Sequence, residues 1–386
     1  MTTFDWNKMH ERIGFSAASL LLAPLSALYG LAVRLRVNTY REAKRKSLPG
    51  FVLSIGNLSV GGTGKTPAAC MLAKWALQEG FRVAVLSRGY SGRYRQKVLE
   101  VSDGHGINAT PEEAGDEPFL LAKRLPGVPV IVSRKRYLAG LLAHEKHGTD
   151  FYILDDGFQH LALKRDLDLV LIDATNPFGN GHLLPWGPLR EPLSFLKRAD
   201  AFLLTRAQAL HQEPSPPPDF PREGGGPWRR GATPPDKGDL STWLEGNFPG
   251  RPVFHGDHVS EKIVFPFSEE AHESRFLEGK RVVAFAGIAR PEAFHHTLRG
   301  LGAEVVMFKG FRDHHAFTPS EVRDLISEKE RLGAECLITT EKDWVRIENL
   351  GTKHPDLAYL QIAFGLLSGS DRFYKMIRER LGPAGG

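Results

Sequence analysis

Cysteine is almost missing from this chain of 386 residues: Cys70 and Cys336 are the two it has. They lie far apart and outside any metal-ligand spacing. A disulfide framework is therefore unsupported, and a reducing compartment fits. No internal repeat is evident. The guanine-reading N/T-K-x-D pattern is also missing, because Lys342 and Asp343 are adjacent in Thr339-Thr340-Glu341-Lys342-Asp343. Acidic residues fall slightly short of basic ones, which leaves a net charge of +5. That excess suits an anionic partner such as a nucleotide, a nucleic acid or an acidic lipid, without choosing among them.

Charge of either sign is absent from Ile13 to Val33, and a basic cluster follows at Arg34, Arg36, Arg41, Lys44, Arg45 and Lys46. A cleaved signal peptide is disfavoured, since the basic cluster follows the apolar run and no clear cleavage site is present. Three readings stay open: an interfacial anchor, a spanning helix, and a buried core helix. Length alone permits a span. Pro24, Gly14, Gly30 and three serines weaken it, and the basic flank would meet anionic headgroups. For either membrane reading, the positive flank places the rest of the chain on the cytoplasmic side.

What is there is most telling at Ser59-Val60-Gly61-Gly62-Thr63-Gly64-Lys65-Thr66. An apolar run, 51–55, precedes it and a helical pattern follows. Strand, glycine-rich loop, Lys-Thr and helix together form a nucleotide-phosphate cradle. Glycines let backbone N–H groups turn inward, and the helix N-terminus favours phosphate oxygens. Lys65 would reach the β/γ-phosphates, and the Thr66 hydroxyl would hold Mg²⁺. Ser59 stands where the usual pattern has glycine, and a plain tight turn is the competing reading.

Beyond the loop, short apolar strands alternate with helical patterns. This predicts a P-loop NTPase-like α/β fold with a mostly parallel sheet and a second, smaller α/β lobe. The expected organisation is an N-terminal apolar helix and basic flank (1–46), a nucleotide-binding lobe (47–211), a Pro/Gly-rich insertion or linker (212–239) and the second lobe (240–386). The insertion is too rich in proline and glycine to bury a core.

Several constellations bear chemistry. A buried-type strand ends in Asp155 and Asp156, which would bind Mg²⁺ directly or through water, although a solvated turn is the alternative. Gln159 and His160 follow. Arg88 and Tyr90 sit at another strand end, where open α/β sheets collect ligands. Asp116 is either a helix N-cap or a catalytic carboxylate. Arg190 and Glu191 lie in the rigid loop Gly187-Pro188-Leu189-Arg190-Glu191-Pro192, which also reads as a structural turn. Asp313-His314-His315 precedes a helix expected to start near Thr318-Pro319. Zinc is disfavoured there because no third ligand clusters with the histidines. A His paired with a carboxylate suits phosphoryl transfer, which needs a proton acceptor. Lys342 either touches the nucleotide or lies on the surface.

Taken in order, SVGGTGKTP (59–67), SRGY (87–90), GDEP (115–118), LDDGFQH (154–160), GPLREP (187–192), DHH (313–315) and TTEKDW (339–344) resemble one family over nearly the whole chain. That family is tetraacyldisaccharide 4′-kinase, the lipid A kinase of Gram-negative bacteria. The resemblance implies transfer of the ATP γ-phosphate, with Mg²⁺, to the 4′-hydroxyl of a tetraacyldisaccharide 1-phosphate. It also implies a two-lobed protein held peripherally on the cytoplasmic face of the inner membrane, monomeric and without a nucleic-acid partner. It makes Lys65 and Thr66 the phosphate-loop pair, Asp155 and Asp156 the Mg²⁺-associated acids, and Gln159 and His160 their neighbours. Asp116 becomes the base, His314 its partner from the other lobe, Arg190 and Glu191 part of a catalytically important loop, and Tyr90 an active-site tyrosine. Arg312 stands where proline is expected before DHH. The rival from another class is a membrane-associated nucleotide switch, which would release free phosphate rather than make a phospholipid. A soluble sugar or nucleoside kinase is a third reading.

Overall fold

A computed structural model describes residues 17–40, 44–210 and 240–381. The insertion expected over 212–239 lies outside the described residues. The described residues open with α1 (Ala17–Thr39). The first half then runs β1 (Phe51–Gly56), α2 (Lys65–Gln78), β2 (Val83–Ser87), β3 (Leu99–Asp103), α3 (Pro111–Ala114), α4 (Asp116–Arg124), β4 (Pro129–Val132), α5 (Arg136–His147), β5 (Phe151–Asp155), β6 (Leu167–Asp173) and β7 (Ala201–Thr205). After the undescribed stretch come α6 (Leu240–Asn247), β8 (Val253–Phe265), β9 (Glu270–Glu273), β10 (Arg281–Ala286), α7 (Pro291–Gly300), β11 (Glu304–Gly310), α8 (Pro319–Arg331), β12 (Cys336–Thr340), α9 (Glu341–Ile347), β13 (Leu357–Ser368) and α10 (Ser370–Leu381).

Among the described residues, thirteen strands join in one sheet, ordered β11-β10-β12-β13-β8-β7-β6-β1-β5-β2-β4-β3, with β9 beside β8. Most pairings are parallel, as strands buried on both faces and joined by helical crossovers require. β1 is buried at every position and lies between β5 and β6. Strands that follow it in sequence lie on both its sides, so the loop after β1 opens at a switch in strand order, where α/β sheets bind ligands.

β8 carries the sheet from one half to the other. Its first residues pair with β7 in parallel, and the rest pair antiparallel with β13. Sequence reading did not anticipate this strand, because its Asp257–Lys262 stretch is too polar to announce one. The C-terminal helix α10 then returns to the first half. Phe373 and Ile377 share a buried core with Leu53, Leu72 and Phe151, and the Tyr374 ring stacks on Trp75 with centroids 5.1 Å apart. A second core, including Val282, Ala284 and Ile338, fills the far half. The start of α8 follows its sequence signal: Thr318 and Glu321 form a reciprocal capping box around Pro319.

No described helix is long and apolar enough to cross a membrane, which removes the spanning reading for α1 over these residues. The buried-core reading also fails. Leu25, Leu28, Leu31 and Leu35 are 52%, 64%, 52% and 59% exposed. The opposite side docks through small and polar groups: Ser26 Oγ donates to Leu183 O (2.8 Å), and Tyr29 OH donates to Arg190 O (3.0 Å). Gly30 lies so close to Leu183 that a Cβ would sit 2.7 Å from it.

Candidate active site

The glycine-rich loop joins β1 to α2, and its geometry accounts for each residue type. Gly61 and Gly64 have φ of 115° and 83°, the left-handed region that a Cβ disfavours. Gly64 also faces His258, whose Nε2 would lie 2.7 Å from an added Cβ. Ser59 needs no such freedom. It pairs antiparallel with Leu189, while Val60 N donates to Pro188 O (2.8 Å) and Arg190 N donates to Leu58 O (2.8 Å). The 187–192 loop is therefore the strut of the phosphate loop, and a serine fits where glycine is usual. Val60, Gly61 and Gly62 face open space, with Val60 exposed and no atom near a Cβ built on either glycine. Thr63, Lys65 and Thr66 are buried.

Lys65 Nζ lies 3.6 Å from Asp156 Oδ1, and Arg190 Nη1 holds both Asp156 oxygens at 2.9 and 2.8 Å. Burial alone would push the Asp156 carboxyl up, but Lys65 and then Arg190 bring it down to about 2. Asp156 sits at φ 50°, a strained conformation for a residue with a side chain. Beside it, Asp155 is 1% exposed. Ser87 Oγ donates to its Oδ2 (3.0 Å), while its Oδ1 is buried without a partner. Burial, with Glu117 and Asp156 nearby, pushes the Asp155 carboxyl up to about 6.

An orphaned carboxylate oxygen next to a phosphate loop fits a divalent cation. The residues able to hold it are Asp155, Asp156 and Thr66. No group of three or more His, Cys, Asp or Glu ligands gathers among the described residues. Mg²⁺ is held by one or two protein groups plus phosphate and water. His315 faces Glu321 of the α8 cap, at 3.1 Å.

The N-cap reading of Asp116 is overturned. Gly115 occupies the cap of α4, and no side chain bonds there. The Asp116 carboxylate turns to the other half of the molecule: its Oδ2 lies 3.0 Å from His314 Nδ1 and accepts from Arg346 Nε at 2.8 Å. Burial opposes ionisation, but these two partners hold Asp116 below the usual carboxylate range. The same hydrogen bond raises His314. Tyr90, largely exposed, lies with its ring 6.5 Å from that of His314.

Sequence reasoning passed over Glu117 and Arg346, and it left Lys342 between nucleotide contact and surface. Lys342 Nζ donates to Glu117 Oε1 at 2.5 Å, so Lys342 is no free surface cation. Its charge, with Lys65 in support, holds Glu117 down at about 2 despite burial. Further along the same contact between α4 and α9, Lys123 pairs with Glu348, and Arg124 with Glu341. The signal lay in TTEKDW and the residues just after it, but nothing local says which helix they face.

The remaining predicted residues divide. Gln159 Nε2 donates to Asn57 O (2.9 Å), and Arg36 Nη2 to Gln159 O (3.3 Å), so this segment lies between β1 and α1. His160 is pushed down to about 3 by burial and then by the cations Arg136, Arg165, Arg36 and Arg88. That basic surround is one for an anion. Arg88 is exposed. Glu191, expected among the catalytic groups, is buried and paired with Arg198. Its contacts brace the strut loop.

The family model described as tetraacyldisaccharide-1-P 4′-kinase matches residues 18–382. A tetraacyldisaccharide 4′-kinase of Pelobacter propionicus is 40% identical over 332 residues, 86% of this chain and 83% of that protein. One from Desulfatibacillum aliphaticivorans is 39% identical over 381 residues, 96% of this chain and 94% of that protein. The crystal structure of Aquifex aeolicus LpxK in complex with ATP superposes with a TM-score of 0.70 at 33% identity, covering 94% of this chain and 99% of that one. The chain belongs to the tetraacyldisaccharide-1-P 4′-kinase family.

Proposed function

We propose that this chain transfers the γ-phosphoryl group of ATP to the 4′-hydroxyl of a tetraacyldisaccharide 1-phosphate, giving lipid IVA in lipid A biosynthesis. The observation that carries the reading is the meeting of Asp116 and His314 from opposite halves, at 3.0 Å. A carboxylate paired with imidazole beside a phosphate loop serves phosphoryl transfer to an alcohol, whose proton needs an acceptor.

In this reading, Asp116 takes the 4′-hydroxyl proton while His314 orients the carboxylate. Lys65 and Arg190 offset charge on the transferred group. Both now lean on Asp156, so that carboxylate keeps two cations aimed at the loop. Asp155, Asp156 and Thr66 would hold Mg²⁺, which supplies further neutralisation of the phosphate oxygens. Arg88, Tyr90, Gln159 and His160 bind the disaccharide and its phosphate. The chain works as two lobes, and closure between them brings His314 to Asp116 and excludes water. The exposed leucines of α1 and the basic residues after it hold the enzyme peripherally on the cytoplasmic face of the inner membrane.

The test is a radiolabelled-ATP assay with tetraacyldisaccharide 1-phosphate, read by thin-layer chromatography. Asp116→Asn should lower kcat by about 10²–10⁴, the share a general base contributes, with ATP affinity retained. Near-normal kcat would remove the base assignment. Free phosphate in place of labelled lipid from the unsubstituted chain would favour the nucleotide switch.

A further inference from the structure

We infer that Arg346 is the positioning residue of the base, locking the Asp116 carboxylate and the His314 imidazole along one guanidinium edge. The inference rests on the reading of Asp116 as proton acceptor. Arg346 lies on α9 and is 8% exposed at its side chain. One face of its fork is fixed by the fold: Nη1 donates to Gly287 O (2.9 Å) and to Asp343 Oδ1 (2.8 Å). Asp343 is itself fully buried, and its Oδ2 accepts from Gly287 N (2.9 Å) and Thr340 Oγ1 (2.7 Å). That anchorage aims the other face. Nε donates to Asp116 Oδ2 at 2.8 Å, and Nη2 meets His314 Nδ1 at 3.0 Å.

The same network sets the backbone of His314. Gly287 O, already bound to Arg346, also accepts from His314 N at 3.1 Å. His314 is thereby held at φ 55°, unusual for a residue with a side chain. Gly287 leaves little room for one: a Cβ would sit 3.1 Å from Asp343 Oδ1 and 3.2 Å from His315 Cβ. Arg346 thus fixes both partners of the base, one through its carboxylate and one through both ring and backbone. A lysine cannot reproduce this, because a point charge lacks the planar fork.

The chemistry follows from competition at Nδ1. An ionised Asp116 asks for a proton on Nδ1, whereas the Arg346 N–H asks for a bare one. The cation therefore opposes a second proton on the pair and keeps the carboxylate free to accept. In the transfer, the 4′-oxygen bonds to the γ-phosphorus as the bridging P–O bond to ADP breaks. The hydroxyl proton goes to Asp116, which Arg346 Nε and the Nδ1 proton of His314 keep oriented. The other charged group facing the pair is Asp313, while Asp343 and Lys342 face Arg346 and Glu117 pairs with Lys342. Of these, Asp343 loses its ion-pair partner when Arg346 is replaced by glutamine and keeps a cation beside it when lysine is put there.

The experiment measures kcat against pH for Arg346→Gln and Arg346→Lys, with Mg·ATP and tetraacyldisaccharide 1-phosphate. Arg346→Gln should lose about 10²-fold in kcat, keep its ATP KM within about twofold, and show an acid limb moved to higher pH. Arg346→Lys should restore the limb but stay about tenfold low in kcat, since charge returns without the fork. A loss of kcat in Arg346→Gln with an unmoved limb would reduce Arg346 to packing and overturn the inference, as would unchanged kinetics. If Arg346→Gln does not fold, Arg346→Lys decides, and wild-type kcat in that variant overturns the role of the fork. An inactive Asp116→Asn alongside normal Arg346 variants sinks this inference alone. A fully active Asp116→Asn sinks the reading beneath it.

Discussion

Replacing Leu28 and Leu35 with serine should release the protein from membranes without disturbing its site. α1 packs inward through Ser26, Tyr29 and Gly30, which leaves the leucines outward. Leu28 and Leu35 are 64% and 59% exposed, so lipid can take up a little more than one leucine side chain between them. At about 2 kcal/mol for full burial of a leucine, the pair contributes about 2.5 kcal/mol. That corresponds to about 60-fold in partitioning. The assay is co-sedimentation with vesicles of phosphatidylethanolamine and phosphatidylglycerol, at low and high salt. Salt should weaken the share of Arg34, Arg36, Lys44, Arg45 and Lys46 and leave the leucine share standing. A double variant that melts like the parent yet partitions within about threefold of it would refute the argument, because the outward face would then have no lipid to meet.

The phosphate loop separates two serine and glycine positions. Ser59→Gly should leave ATP KM and kcat nearly unchanged, whereas Gly64→Ala, at φ 83° and against His258, should impair ATP binding about tenfold or more, read by steady-state kinetics. Lys65→Ala should lower kcat by about 10²-fold or more, as loss of a preorganised cation does, with its melting temperature as control. The Asp116–His314 pair also sets a pH window for stability. Asp116 is depressed, so its contribution is present above the unfolded carboxylate value and is lost as pH falls through the folded one. His314 is raised, so its contribution is full below the unfolded imidazole value of about 6.5 and is lost as pH rises through the folded one. Wild type should therefore out-melt His314→Gln in mildly acid buffer and lose that margin in alkaline buffer; a margin that grows with pH would contradict the pairing.

Which parts of this molecule were legible follows from where each residue finds its partner. The phosphate loop and the acids closing β5 were readable because strand, turn and helix are contiguous there. The apolar character of α1 was readable too, but its rotation was not, since Leu183 O and Arg190 O decide which side docks. Asp116 had two locally equal readings, cap or catalyst. They part only when His314 and Arg346 arrive from the far half. The pair His314-His315 stood out from its position before a helix start, and likeness to a family chose His314 from it. Arg346 had no such help: it sits in the last turn of a short helix as an ordinary cation, and Asp343, three residues earlier, looks like a salt-bridge partner and no more. Its meaning depends on Gly287, which aligns Arg346 and His314 through one carbonyl. Arg312 shows the converse. It broke the expected pattern beside DHH, yet the loop still brings His314 to Asp116: Gly287 and Arg346 hold it, and Arg312 contributes through its backbone O, which accepts from His315 N at 3.1 Å. Sequence departures near a site therefore matter in proportion to the contacts that fix the site. Here those contacts join residues far apart in the chain, within the second half for His314 and across to the first half for Asp116.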